Sequence, residues 1–87
     1  MQKTKGKQEQ YLLEELSRGN QEAFQKIFEQ YYAKIHYFIN GIIKSDDEAE
    51  DLCQEVFVKI WINRTNFVDV RNLGVYLYVL SKNLTYN

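Results

Sequence analysis

Between Ser45 and Val58 the chain carries six acids, Asp46, Asp47, Glu48, Glu50, Asp51 and Glu55, and no base. Carboxylates this dense can serve as an acid–base pair, as metal ligands or as a charged docking face. The first two uses need partners that the sequence does not supply. It has one histidine, His36, and one cysteine, Cys53, and neither has a ligand or nucleophile at useful spacing. No Gly-rich phosphate loop is present. The pairs Asp47/Glu48 and Glu50/Asp51 stand at a helix start, where capping and the helix dipole account for them. No catalytic residues, no metal and no cofactor are therefore expected, and the chain does not read as an enzyme. What remains is recognition chemistry.

Two surfaces carry it. On a helix that begins at these acids, Asp51, Gln54, Glu55, Val58 and Ile62 share one face. Ala49, Leu52, Cys53, Val56 and Ile60 share the other, widened by Phe57 and Trp61, and form the core side. Cys53 is read there as a small buried hydrophobe. Two β-branched apolar residues turned away from the core suit a partner groove or helix. They also suit a small, imperfectly amphipathic domain, and the residues alone leave both open. Downstream, Arg64–Asn72 breaks the helical period. This loop holds Arg64, Arg71, Asn66, Asn72, Asp69 and Phe67, and long ordered loops often carry function. In the helix after it, Val75, Tyr78, Val79, Lys82 and Tyr86 face away from an inner set of Leu73, Tyr76, Leu77, Leu80 and Leu84. Tyrosines with a lysine beside a basic loop suit stacking on single-stranded nucleic acid. They equally suit packing against a neighbouring domain.

Helices must position these surfaces. The first is expected over about 8–18, with Tyr11, Leu12 and Leu16 on one face, Leu13 at its edge and Gly19 as its stop. Asn20 caps the second, over about 21–43. There Phe24, Ile27, Phe28, Tyr31, Ile35, Phe38, Ile39 and Ile42 recur at the helical period. At about 1.5 Å per residue that helix is near 35 Å long and forms the spine. His36 falls on the flank of the stripe and reads as a boundary histidine. Ser45 with Glu48, or Asp47 with Glu50, opens the third helix, over about 47–63. Asn72 caps the fourth, over about 73–86. The fold class is thus all-α, a compact four-helix domain over 8–87. Residues 1–7 read as a flexible basic tail. The fourth pattern runs to Asn87 without a stop, as expected of a helix cut short within a longer protein.

Composition sets the outer limits. With 87 residues, one domain fits. The chain is too apolar, at 45% hydrophobic, to be disordered. One cysteine excludes a disulfide framework. No apolar run nears the roughly 18 residues of a membrane span, and Met1–Gln10 is too polar for a signal peptide. A soluble intracellular domain without membrane insertion is expected. The net charge of −1 hides segregation. Residues 1–44 sum to +2, residues 45–58 to −6 and residues 59–87 to +3. A solvated acidic helix start explains the block in isolation; two surfaces with different partners explain the whole pattern.

The run from Asp47 through Glu48, Ala49, Glu50, Asp51, Leu52, Cys53, Gln54, Glu55, Val56, Phe57, Val58, Lys59 and Ile60 to Trp61 resembles the region 2 signature of sigma-70 family factors. It is most similar to the extracytoplasmic-function (ECF) group. Leu16, Gly19-Asn20, Ala23-Phe24, Ile27-Phe28 and Tyr31-Tyr32 match that group's opening pattern. Asn72-Leu73, Tyr76-Leu77-Tyr78 and Lys82-Asn83 match the start of its promoter-reading helix. The resemblance covers about residues 8–87.

It implies a sigma factor domain of the cytoplasm that binds core RNA polymerase and recognises and melts the minus-ten promoter element. The acidic helix would dock on the clamp helices of the beta-prime subunit through Asp51, Gln54 and Glu55. The stripe adds Val58 and Ile62, with Trp61 at the edge. The loop and last helix would capture the non-template strand, a flipped base being held in a pocket of the loop. Arg64, Phe67, Asp69, Arg71 and Asn72 are the loop candidates, and Lys82, Asn83, Tyr86 and Asn87 those on the helix. An anti-sigma partner is implied, as is a second DNA-binding domain, region 4, that the chain lacks. The alternative from another class is a helical protein-interaction module that uses the Asp51/Gln54/Val58 stripe and leaves DNA alone. A helix-turn-helix duplex reader is disfavoured, because no short basic helix follows a tight turn.

Overall fold

The computed structural model describes residues 2–86, with side chains from Lys7 onward. Four helices follow in order: α1 Gln2–Ser17, α2 Gln21–Ile43, α3 Asp46–Ile62 and α4 Leu73–Tyr86, with a 3-10 turn at Arg64–Phe67. No strand occurs among the described residues. α2 is the spine, packed against α1, α3 and α4. Its 23 residues span about 35 Å, which matches the longest dimension of the domain, 35 Å.

The caps fall where the residue types put them. Gly19 adopts φ 86°. Its N–H reaches the Leu16 carbonyl and that of Asn20 reaches Glu15, the double closure of a Schellman turn. The Asn20 side chain then accepts from the Glu22 and Ala23 amides at 2.9 and 3.3 Å. Ser45 accepts from Glu48 N–H at 3.4 Å to open α3, and Asn72 accepts from Val75 N–H at 3.0 Å to open α4. α2 ends less comfortably. Lys44 takes a left-handed conformation, φ 57° and ψ 42°, where a Cβ costs about 1 kcal/mol. Lys44→Gly is therefore expected to stabilise the domain by about 0.5–1 kcal/mol in urea denaturation.

The core is one cluster drawn from every helix. Leu13 and Leu16 of α1, Ile27, Ile35 and Ile39 of α2, Ala49, Cys53, Val56, Phe57 and Ile60 of α3, and Leu73 and Leu77 of α4 are buried together. The Cys53 thiol is directed at the Tyr32 carbonyl, 3.6 Å away. Burial, with the charge of Glu50, pushes its pKa up to about 12. It is a protonated core group, as its place on the inner face implies.

Three expectations are corrected. α1 begins at Gln2, so the segment read as a flexible tail continues the first helix. Gln and Lys are good helix formers, and a helix already nucleated extends at little cost. Within α1, Tyr11 is exposed while Leu12, Leu13 and Leu16 are buried. The inner face is thus Leu12/Leu13/Leu16, with half-buried Glu9 continuing it. Tyr76 is 42% exposed rather than inward. Its ring stands edge-on to Phe67, 4.9 Å between centroids, and covers the core rather than entering it.

Candidate functional site

The acidic surface is built by the two-sidedness of α3. With Ala49, Cys53, Val56, Phe57 and Ile60 buried, Asp51, Gln54 and Glu55 must face outward. Val58 and Ile62 lie on the same side, 54% and 68% exposed. Among the described residues the one ion pair joins Arg18 to Glu15 at 2.9 Å, and none involves a carboxylate of α3. Two amides donate to carboxylates of α3, Asn40 Nδ2 to Asp46 Oδ1 at 2.7 Å near its start and Gln54 Nε2 to Glu50 Oε2 at 3.4 Å beside the outward face. This face therefore holds unpaired negative charge around two uncovered aliphatic side chains.

Beside it runs a groove of about 600 Å³ between α2 and α3. Phe24, Phe28, Tyr32, Phe57 and Trp61 wall it, with Gln54 and Val58 on its rim. The rings pack as one array: Phe24 on Trp61 at 5.4 Å, Phe28 on Phe57 at 5.0 Å, Phe28 on Tyr32 at 4.8 Å. Tyr32 in turn stacks on His36 at 6.2 Å, which fits the boundary position expected for that histidine. Trp61 is half-buried and belongs to this wall. An aliphatic side chain of a partner would meet apolar carbon here and carboxylates at the margin.

The second surface is formed by the loop and α4. Asp69, Arg71 and Asn72 are exposed, although the Asn72 side-chain oxygen is occupied in capping α4. Along α4, Val75, Tyr76, Val79, Lys82, Asn83 and Tyr86 are all exposed and form a strip running its length. The loop candidates and the Lys82/Asn83/Tyr86 group lie at opposite ends of that strip, about 15–20 Å apart at the helical rise. Tyr78 sits at the border, its ring edge-on to Phe38 at 5.0 Å. Asn87 lies outside the described residues.

Two of the loop candidates are not on this surface. Phe67 is 2% exposed and anchors the 3-10 turn in the core against α1. Arg64 folds back onto α3. Its guanidinium stacks over Trp61 at 4.4 Å and donates to the Trp61 carbonyl at 3.0 Å, so it caps α3 rather than facing solvent. Tyr76, assigned inward by periodicity, joins the outward strip instead. It is four residues from Asn72 and seven from Asn83, a helical spacing that places the three on one side.

No group of three or more potential metal ligands occurs among the described residues. No helix is long and apolar enough to cross a membrane among them.

The sigma-70 region 2 family matches residues 27–87. Among curated relatives, the chain is 32% identical over 73 residues to the ECF RNA polymerase sigma factor SigW of Bacillus subtilis, covering 84% of this chain and 39% of that protein. It is 31% identical over 80 residues to the RNA polymerase sigma-H factor of Pseudomonas aeruginosa, covering 92% of this chain and 42% of that one. The chain thus spans about two fifths of the length of the relatives it matches. No solved structure matches it significantly. The match runs from the second turn of α2 through α3, the loop and α4, the elements that carry both surfaces, and the chain belongs to the sigma-70 region 2 family.

Proposed function

We propose that this chain is the domain of an ECF sigma factor that binds core RNA polymerase and opens the minus-ten promoter element in the cytoplasm. The observation that carries the reading is the outward face of α3. Asp51, Gln54 and Glu55 surround exposed Val58 and Ile62, and no ion pair involves them among the described residues. Such a face suits a basic partner with aliphatic contacts, and the clamp helices of the beta-prime subunit are the partner that the family suggests. Charge complementarity there would set register and speed docking.

On this reading the loop and the exposed strip of α4 take the non-template strand. Tyr76 and Tyr86 offer faces for stacking, and Asp69, Asn72 and Asn83 offer hydrogen bonds to base edges. A protein that occludes either surface would act as an anti-sigma factor. The domain does not need to be an enzyme in this role.

The test is strand preference. With core polymerase bound, the chain is expected to bind a single-stranded non-template minus-ten oligonucleotide more tightly than the same sequence as duplex. Tighter duplex binding would contradict the reading and favour a groove-reading module. Arg71 and Lys82 are the exposed bases of the loop and α4. For the chain without polymerase, the salt slope of log affinity should therefore be shallow, about −1 to −2.

A further inference from the structure

We propose that Glu9 and Gln10 of α1 are positioning residues that hold the promoter-reading loop in its binding conformation. The inference rests on the reading of that loop as the base-capturing element. The Glu9 carboxylate is shared between two elements. Its Oε2 accepts from the Tyr31 hydroxyl of α2 at 2.8 Å, and its Oε1 accepts from the Leu73 N–H, the first residue of α4, at 3.4 Å. Gln10 donates from Nε2 to the Val68 carbonyl at 3.3 Å. These bonds bracket the loop, with Val68 at its start, Leu73 at its end and the exposed Asp69, Arg71 and Asn72 between them.

The rest of the geometry agrees. Phe67 and Leu73 are buried on either side of the segment, so both of its ends are anchored. Between them the loop's own backbone closes with a single bond, Val70 N–H to the Phe67 carbonyl at 3.1 Å. α1 supplies what the loop lacks. The carboxylate also sits by the first turn of α4, whose N–H groups have no partner within the helix and favour negative charge. Tyr31 lies beside Gly74. Burial and the Glu9 bond raise its pKa well above the ordinary phenol value, so it remains a donor to the carboxylate. Glu9 and Gln10 precede residue 27, where the family match begins.

A base pocket binds well only if its loop is held in place before the base arrives. The experiment compares the parent chain with Glu9→Ala, Glu9→Gln and Gln10→Ala. For each, affinity for the single-stranded minus-ten oligonucleotide with polymerase present is read beside affinity for the clamp helices. Glu9→Ala is expected to weaken strand binding by about tenfold, the size of one lost charge-assisted bond, with clamp binding unchanged. Glu9→Gln keeps an oxygen for Leu73 and a bonding group for Tyr31, and should recover most of that loss. Equal loss of strand and clamp binding would mark a general structural role and overturn the proposal, as would unchanged strand binding. If Glu9→Ala does not fold, Gln10→Ala decides. Its side chain is exposed, so about threefold weaker strand binding supports the proposal and none overturns it. A parent chain that binds the clamp but no strand would overturn the reading of the loop, and this inference with it.

Discussion

Asp51→Arg combined with Gln54→Ala is expected to abolish binding to the polymerase clamp helices while leaving the domain folded. Both side chains are exposed, and Gln54 bonds Glu50 at 3.4 Å at the surface. Surface changes of this kind shift stability by about 0.5 kcal/mol or less. At the interface the effect is far larger. A carboxylate facing a basic partner becomes a cation facing it, and like charges in contact cost several kcal/mol. Affinity should fall at least about a hundredfold, which is roughly 3 kcal/mol. Titration against the clamp helices checks the first part, and a thermal melt checks the second. Glu14→Arg is the control for net charge, because Glu14 is exposed on α1, away from the α3 face. It should bind as the parent does. If it loses binding equally, the effect belongs to overall charge and not to the face of α3.

The second large effect is on stability. Phe67→Ala is expected to cost about 3–5 kcal/mol, the usual penalty for emptying a buried aromatic site. A domain of 87 residues has only about 4–13 kcal/mol in total. The melting temperature should fall by well over about 10 °C. The ring is 2% exposed and meets Tyr76 edge-on, so its loss also removes the anchor of the 3-10 turn. The alternative role, a platform for stacking a base, predicts the opposite pattern. A stacking residue must be accessible, and its replacement would weaken strand binding with little change in the melt. Denaturation of the variant therefore separates the two roles directly.

Phe67 also illustrates what could be read from the chain and what could not. Helices are visible where period and caps agree. The aromatic stripe of α2, the two-sided pattern of α3 and the caps Asn20, Ser45 and Asn72 each predict an element found within a residue of its place. The outward face of α3 was legible for the same reason, since burying one side of a helix fixes the other. The loop has no period, so nothing local states which of its residues turn inward. Phe67 is claimed by α1, distant in sequence, while Arg64 turns back onto Trp61, three residues before it, a direction no local pattern signals. Glu9 was missed on the same grounds, as its partners lie 22 and 64 residues away. Tyr76 failed differently. At the edge of the apolar arc an amphipathic ring can lie either way, and packing over Phe67 decided the direction. The start of α1 was missed because Gln2–Lys7 has no apolar pattern, whereas helix extension needs only propensity.

On the proposed function, the outward face of α3 is a polymerase-docking surface. Mapping the footprint of the clamp helices on the isotope-labelled chain by amide and indole chemical shifts tests it most directly. The largest shifts are expected on Asp51, Gln54, Glu55, Val58 and Ile62 and on the Trp61 indole at the groove. The loop from Val68 to Asn72 and the strip of α4 should stay unperturbed. A footprint centred on α4 or on α1, or no footprint at concentrations that saturate an established sigma domain, would contradict it.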